Sequence, residues 1–262
     1  MRPAVPGFEL VSLASAATGA SEIWRAIDRH GRAVALKILR SDRPDLALRF
    51  EQEGRLLLAL GGSHHLIGCF GVLDHPPTLI LELGTATGPG PAPTALRDVR
   101  DAAIAVDWLH RHQVVHRDVK PSNLVRGIDG SIRLTDLGVA AVGDPPRALP
   151  PEWIEEDVGT LGFAAPELLR DPASANRLSD VYGLGATLYQ LLSSRLPFEL
   201  GPVESPAELR ARIARGDPPT PLAARGNYPE AWDIVVGRAL APDPAERFQS
   251  AEEFGAAVGA LL

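Results

Sequence analysis

Between Val115 and Asn123 the chain reads Val-His-Arg-Asp-Val-Lys-Pro-Ser-Asn, and Asp136-Leu137-Gly138 follows a second strand-like run, Ser131 to Leu134. His116, Arg117, Asp118, Lys120 and Asn123 bring an imidazole, a guanidinium, a carboxylate, an ammonium and an amide into one short stretch. Groups of these types suit chemistry on a charged, oxygen-rich centre. A carboxylate can take up a proton, an ammonium offsets negative charge, and carboxylate and amide oxygens are ligands for a hard cation. Pro121 and Gly138 stiffen and turn the backbone around these side chains. His-Arg-Asp alone reads as a polar loop between two strands; the full spacing with Asp136 argues against that reading.

This order resembles the catalytic loop and the metal-binding loop of a protein kinase, written in that family as His-Arg-Asp…Asn and Asp-Phe-Gly. The resemblance implies that Asp118 accepts the proton of a substrate hydroxyl. Lys120 then sits against the transferring phosphate, and Asn123 and Asp136 hold Mg²⁺ on the phosphate oxygens of ATP. Such transfer asks mainly for positioning and for cancellation of negative charge.

Elements that would carry these groups can be traced along the chain. Phe8 to Ala14, Ser21 to Asp28 and Ala33 to Leu39 read as strands, the last two joined by a turn at His30-Gly31. Val34-Ala35-Leu36-Lys37 resembles the family's strand-three motif, which implies that Lys37 reaches the α- and β-phosphates. A helix is expected from Arg43 to Leu60, with Leu46, Phe50, Leu56, Leu57 and Leu60 on one stripe. Asp42 is its expected N-cap and Pro44 lies in its first turn. Glu53, at the stripe's edge, matches the glutamate that pairs with the strand-three lysine. Leu66 to Leu73 and Thr78 to Leu83 read as further strands around His75-Pro76-Pro77. By resemblance Leu81 is the gatekeeper beside adenine, and Glu82 and Leu83 form the hinge.

The family's glycine-rich loop is degenerate. Aligned on Ile23, its three glycines become Ala16, Thr18 and Ser21, with Gly19 between them. Glycine serves there because backbone N–H groups can then approach phosphate without a Cβ in the way. The substitutions put nucleotide affinity or turnover in question.

Thr85 to Pro93 reads as a low-complexity connector, in place of most of the helix that the family puts after the hinge. Thr94 is the expected cap of a long helix to His112, burying Leu96, Val99, Ala103, Val106 and Leu109. Trp108 and His110 read as packing residues. After Asp136 an irregular segment is expected as far as Ala165. Ala165-Pro166-Glu167 resembles the close of a kinase activation segment, and Gly159 to Phe163 the substrate-docking loop of Ser/Thr kinases. There Thr160 bridges the catalytic aspartate and lysine. Asp180, in Ser179 to Gly185, matches the buried aspartate that holds the catalytic-loop backbone. Arg247 would pair with Glu167, and Ser250 to Glu253 reads as a capping box. An arginine before the catalytic aspartate, here Arg117, belongs to kinases whose activation segment needs an anion. From Val139 to Ala165 the only hydroxyl is Thr160, so Glu155, Glu156 or Asp157 is expected to supply a permanent carboxylate for Arg117.

The 262 residues exceed the usual size of one core. The fold implied is α+β and two-lobed: residues 1–83 as an antiparallel β lobe with one helix, and residues 84–262 as a larger, mainly helical lobe. Apolar content of 45% supplies a core, and a net charge of −7 argues against a general nucleic-acid or anionic-membrane binder. The single Cys69 makes no internal disulfide. No apolar run reaches the ~18 residues of a membrane span, and Met1 to Gly7 lacks a signal-peptide pattern. A cytoplasmic protein acting on a protein substrate is expected; the oligomeric state stays open.

The motifs together are similar to bacterial eukaryotic-like Ser/Thr protein kinases, and Lys120 to Asn123 favours Ser/Thr over Tyr. Two other classes share part of the set. Small-molecule phosphotransferases of the aminoglycoside type have the lysine and both aspartates, but Thr160, Glu167, Asp180 and Arg247 weigh against them. A pseudokinase scaffold is favoured by the glycine-poor loop and opposed by intact Lys37, Glu53, Asp118, Asn123 and Asp136.

Overall fold

Alternation with period two sends Val34, Leu36 and Ile38 to one side of a strand and Ala35 and Lys37 to the other. The first three are fully buried. This pattern organises the first of two units in the computed structural model, which describes residues 3–15, 21–143 and 158–262. One unit comprises Met1–Thr85 with Val125–Gly138, and the other Ala86–Leu124 with Val139–Leu262. A single cut after residue 83 was the expectation; by contacts, the segment carrying Asp136 groups with the first unit.

In the first unit β1 (Phe8–Ser15), β2 (Ser21–Asp28), β3 (Ala33–Leu39), β4 (Cys69–Asp74) and β5 (Pro77–Glu82) form an antiparallel sheet ordered β1-β2-β3-β5-β4. One face carries a core of Val5, Leu10, Ala26, Val34, Leu36 and Ile38, joined by Trp24 and Ile80. Each such fully buried aliphatic contributes about 1.5–3 kcal/mol relative to exposure. Against the other face packs α1 (Pro44–Ala59). Its Gly54 comes so close that a Cβ there would lie 2.8 Å from Leu79 and 3.3 Å from Val72. The β2–β3 turn is closed by buried Asp28, whose carboxylate accepts from the His30 and Arg32 N–H groups and from Arg32 Nε. β9 (Ile132–Leu134) belongs to this unit, and Leu66 bridges in parallel to Leu134.

The second unit is built on α5 (Arg177–Ser193), in which the run from Ser179 to Tyr189 is buried on every side. A helix apolar all round belongs in a core. Around it pack α2 (Ala92–Arg111), α7 (Glu230–Ala239) and α8 (Ala251–Gly259). The short α4 (Pro166–Arg170) packs on α6 (Pro206–Arg215). Between α2 and the later helices come β7 (Val114–Val115), a 3-10 turn at Pro121–Asn123, β10 (Ala141–Val142) and α3 (Val158–Leu161), while β8 (Leu124–Arg126) opens the segment that groups with the first unit. β10 pairs with β7, so the stretch after Asp136 is less irregular than expected. β6 (Thr85–Ala86) opens the connector. No helix among the described residues is long and apolar enough to cross a membrane.

Several local expectations change. Residue Arg43, not Asp42, occupies the α1 N-cap, with no side-chain bond. Pro44 at the first helical position fixes the start instead. Likewise α2 starts at Ala92 after Pro91, with Thr94 inside its first turn, because Pro93 suits an early helical position. β4 begins at Cys69 rather than Leu66. Ser250 caps α8 by accepting from Glu253 N–H, but the Glu253 carboxylate returns to Gln249 N–H instead of completing the box at Ser250.

The clearest reciprocal cap is at α5. Asn176 accepts from Leu178 N–H at 2.8 Å and its own N–H donates to Ser179 Oγ at 3.1 Å. Asn176→Ala should cost ~1 kcal/mol, read as a lower urea midpoint with an unchanged slope; an unaltered midpoint would show that the cap contributes nothing.

Candidate active site

The strand register decides which first-unit residues meet. Ile23 pairs with Lys37 and Arg25 with Ala35 across β2–β3, while Ala35 pairs with Leu81 and Lys37 with Leu79 across β3–β5. Directly paired residues share a face, so Ile23, Ala35, Lys37 and Leu81 lie on the face opposite the Val34–Leu36–Ile38 core. That face is also where α1 packs, and Glu53 is buried on it. Lys37 Nζ donates to Glu53 Oε2 at 2.6 Å and stands 3.3 Å from Asp136 Oδ1. Burial works against the Lys37 charge, but Asp136 and Glu53 overcome it and hold the ammonium protonated, above its ordinary range. Burial likewise pushes the Glu53 carboxyl up to about 7, against the pull of Lys37. Asp136 reaches the lysine from left-handed backbone at φ 64°, a conformation unusual for a residue with a Cβ.

Ser21 opens β2 opposite Leu39. Glu82 closes β5, with its carboxylate turned to Gly68 N–H and to the Arg133 guanidinium. Arg133 also donates to the His64 carbonyl and to Asp129. Leu83 follows β5 and is half-buried. Ala16, Thr18 and Gly19, and likewise Glu155, Glu156 and Asp157, lie outside the described residues.

In the second unit the loop after β7 hangs from one buried carboxylate. Asp180 Oδ2 accepts from His116 N–H at 2.8 Å and Oδ1 from Arg117 N–H at 2.7 Å, and His110 Nε2 lies 2.8 Å from Oδ2. Burial opposes the Asp180 charge; the His110 hydrogen bond and the other donors outweigh it and hold the carboxyl below its ordinary range. Arg117 adopts φ 70° here. Burial lowers the pKa of its guanidinium, with Asp180 acting the other way. One turn further along α5 a Cβ on Gly183 would stand 3.0 Å from the Val119 carbonyl, and another turn on, Thr187 Oγ1 lies 3.5 Å from it. Residues 180, 183 and 187 thus form one helical stripe on which the loop backbone rests.

The side chains of that loop then converge. Lys120 Nζ is 2.9 Å from Asp118 Oδ2 and donates to Thr160 Oγ1 at 3.3 Å. Asn123 Nδ2 donates to the Asp118 carbonyl at 2.8 Å and to its Oδ2 at 2.9 Å. Neither bond uses Asn123 Oδ1, the atom a hard cation would take. Among the described residues no three His, Cys, Asp or Glu side chains cluster as a self-contained metal site. Asp136 offers a carboxylate and Asn123 an amide oxygen, donor types that a small hard cation takes together with phosphate oxygens and water.

Arg247 is fully buried and uses all five donors: two to the Glu167 carboxylate, both at 2.8 Å, and one each to the Ala241, Leu178 and Pro242 carbonyls. Burial opposes the Glu167 charge, but Arg247 and the Ser179 hydroxyl hold its carboxyl below the usual range. The sequence contained no separate signal for Ser179 in this pair, for His110 on Asp180, or for Gly183. The spacing of Ser179 and Gly183 along α5, and the approach of His110 from α2, were legible only once the buried face of α5 was known.

Arg247→Met should leave Glu167 buried without its partner and cost about 3–5 kcal/mol, whereas Glu167→Leu/Arg247→Met should cost distinctly less. Urea melts of both variants check this; equal losses would mean that packing, and not the uncompensated charge, sets the cost.

The sequence of residues 91–254 matches the family model for the protein kinase domain. Among similar proteins is "Serine/threonine-protein kinase PknB" of Mycolicibacterium smegmatis, 32% identical over 259 residues that cover 91% of this chain and 40% of that protein. "Serine/threonine-protein kinases drp72" of Corynebacterium efficiens is 30% identical, over 93% of this chain and 48% of that protein. "Serine/threonine-protein kinase PknL" of Mycobacterium tuberculosis is also 30% identical, over 96% and 65%. The chain therefore spans about 40% of the length of the PknB proteins that it matches. With an antiparallel sheet unit, a mainly helical unit and this match in sequence, the chain belongs to the protein kinase domain family, in the branch of the bacterial Ser/Thr kinase catalytic domains.

Proposed function

We propose that the chain transfers the γ-phosphoryl group of ATP to Ser or Thr hydroxyls of protein substrates. The observation that carries this reading is the convergence of Lys120 and Asn123 on Asp118, with Thr160 held on Lys120 and the loop backbone tied to Asp180. Asp118 is the group placed to accept the proton of the attacking hydroxyl. Lys120 offsets negative charge at the same carboxylate, and Thr160 bridges the loop to the segment where a substrate would dock. On the first unit, Glu53 keeps Lys37 extended and charged for the phosphates. Asp136 and Asn123 are the residues that would hold Mg²⁺, which supplies neutralisation of the phosphate oxygens when bound.

A second reading, a nucleotide- or partner-binding scaffold without transfer, draws on the glycine-poor stretch Ala16, Thr18 and Ser21. The PknB and drp72 names describe Ser/Thr kinases, which favours the enzyme.

Radiolabelled ATP with Mg²⁺ and a generic basic protein separates the two. Asp118→Asn should lower kcat at least ~10²-fold, since general-base work contributes about 10²–10⁴, while ATP still binds. Retained activity in that variant would remove Asp118 from the chemistry, and an inactive wild type that binds nucleotide would establish the scaffold.

The pH profile reports the Lys37–Glu53 pair. Glu53 is ionised above about pH 7 and takes up a proton as pH falls through that value, so its charge attraction for Lys37 is lost on the acid side. In the wild type kcat/KM for ATP should fall below about pH 7, and Glu53→Gln should be weaker at all pH values and flat on that limb. A limb unchanged in Glu53→Gln would assign it to another group.

A further inference from the structure

The connector before α2 contains one residue that turns inward. Thr85, Ala86, Gly88, Pro89 and Gly90 are exposed, whereas Thr87 is half-buried. Its hydroxyl lies 2.8 Å from the Pro121 carbonyl oxygen and 3.1 Å from that of Leu124, and its backbone N–H donates to the Leu124 carbonyl at 3.3 Å. These carbonyls bracket Asn123. The 3-10 turn between them has few bonds of its own: Leu124 N–H to the Pro121 carbonyl, and Asn123 N–H to the Lys120 carbonyl at 3.0 Å. Such turns have poorer hydrogen-bond geometry than an α-helix and gain from outside donors. A threonine hydroxyl carries a single hydrogen, so the two carbonyls share it and the contact fixes their separation. Inside the turn, Asn123 Nδ2 passes the same constraint to the carbonyl and carboxylate of Asp118.

We propose that Thr87 is a positioning residue: by clasping the Pro121 and Leu124 carbonyls it sets the orientation of Asn123, and through Asn123 that of the Asp118 carboxylate. The role for chemistry rests on the kinase reading, in which Asn123 is a metal ligand; the holding of the turn does not. It gives a task to a stretch that composition marks as a plain linker. Pro89 and Pro91 restrict φ in the short stretch between Thr87 and the start of α2 at Ala92.

Thr87→Val keeps the shape and removes the hydroxyl, and Thr87→Ser keeps the hydroxyl. Amide hydrogen exchange of the nucleotide-free protein reads the turn directly, and phosphoryl transfer titrated with Mg²⁺ reads the chemistry. Thr87→Val should speed exchange at Asn123 and Leu124, and lower kcat, by about fivefold to tenfold, the worth of one net hydrogen bond. It should raise the half-saturating Mg²⁺ concentration and leave KM for ATP within about twofold. Thr87→Ser should restore both readouts. Exchange unchanged in Thr87→Val overturns the proposal whatever the activity. Faster exchange with kcat and Mg²⁺ dependence unaltered overturns the catalytic part of it. If the wild type transfers no phosphoryl group, the kinase reading fails, and exchange alone decides whether Thr87 holds the turn.

Discussion

A carboxylate with no exposed surface receives the two backbone N–H groups of His116 and Arg117 and a ring nitrogen of His110. Asp180 could not remain charged in that position without them, because an unpaired buried charge costs several kcal/mol. The dependence also runs the other way. Arg117 sits in left-handed backbone, which costs on the order of 1–3 kcal/mol for a residue with a side chain. Its N–H bond to Asp180 helps to hold that conformation. α5 is therefore more than a core helix. Its Asp180–Gly183–Thr187 stripe is the surface on which the loop carrying Asp118 is shaped, and the lack of a side chain at Gly183 lets the Val119 carbonyl approach.

The first unit solves a different problem with a sheet. Two opposed demands meet at β3: an apolar face for the core and a lysine kept charged on the other face. Strict alternation satisfies both within five residues, and the helix that buries Glu53 can do so only because Gly54 lets α1 lie against Leu79. The cost appears in the acid. Glu53 is driven up toward neutrality by burial even though its partner lies 2.6 Å away.

How much of this the sequence disclosed follows from the range of each interaction. β2 and β3 were readable to the residue, because alternation and the Asp28–Arg32 turn are local. The fold class and the Lys37–Glu53 and Glu167–Arg247 pairs were legible through family resemblance, since their separations of 16 and 80 residues leave no local trace. Helix starts at Asp42 and Thr94 were misplaced for one reason: a polar side chain before an apolar run signals a cap, but a nearby proline fixes the first turn without one. Thr87 and His110 were missed because a connector and the buried face of an amphipathic helix are contexts in which composition gives no reason to look for a polar contact.

The Glu167–Arg247 pair bears on the order in which the chain is made. Glu167 emerges 80 residues ahead of the Arg247 guanidinium that neutralises it, an interval of roughly 4–16 s at ordinary rates of synthesis. During that interval the α4 region cannot bury its carboxylate without the penalty of an uncompensated charge. Vectorial synthesis thus favours a segment between Ala165 and α5 that reaches full burial only after Arg247 has been made.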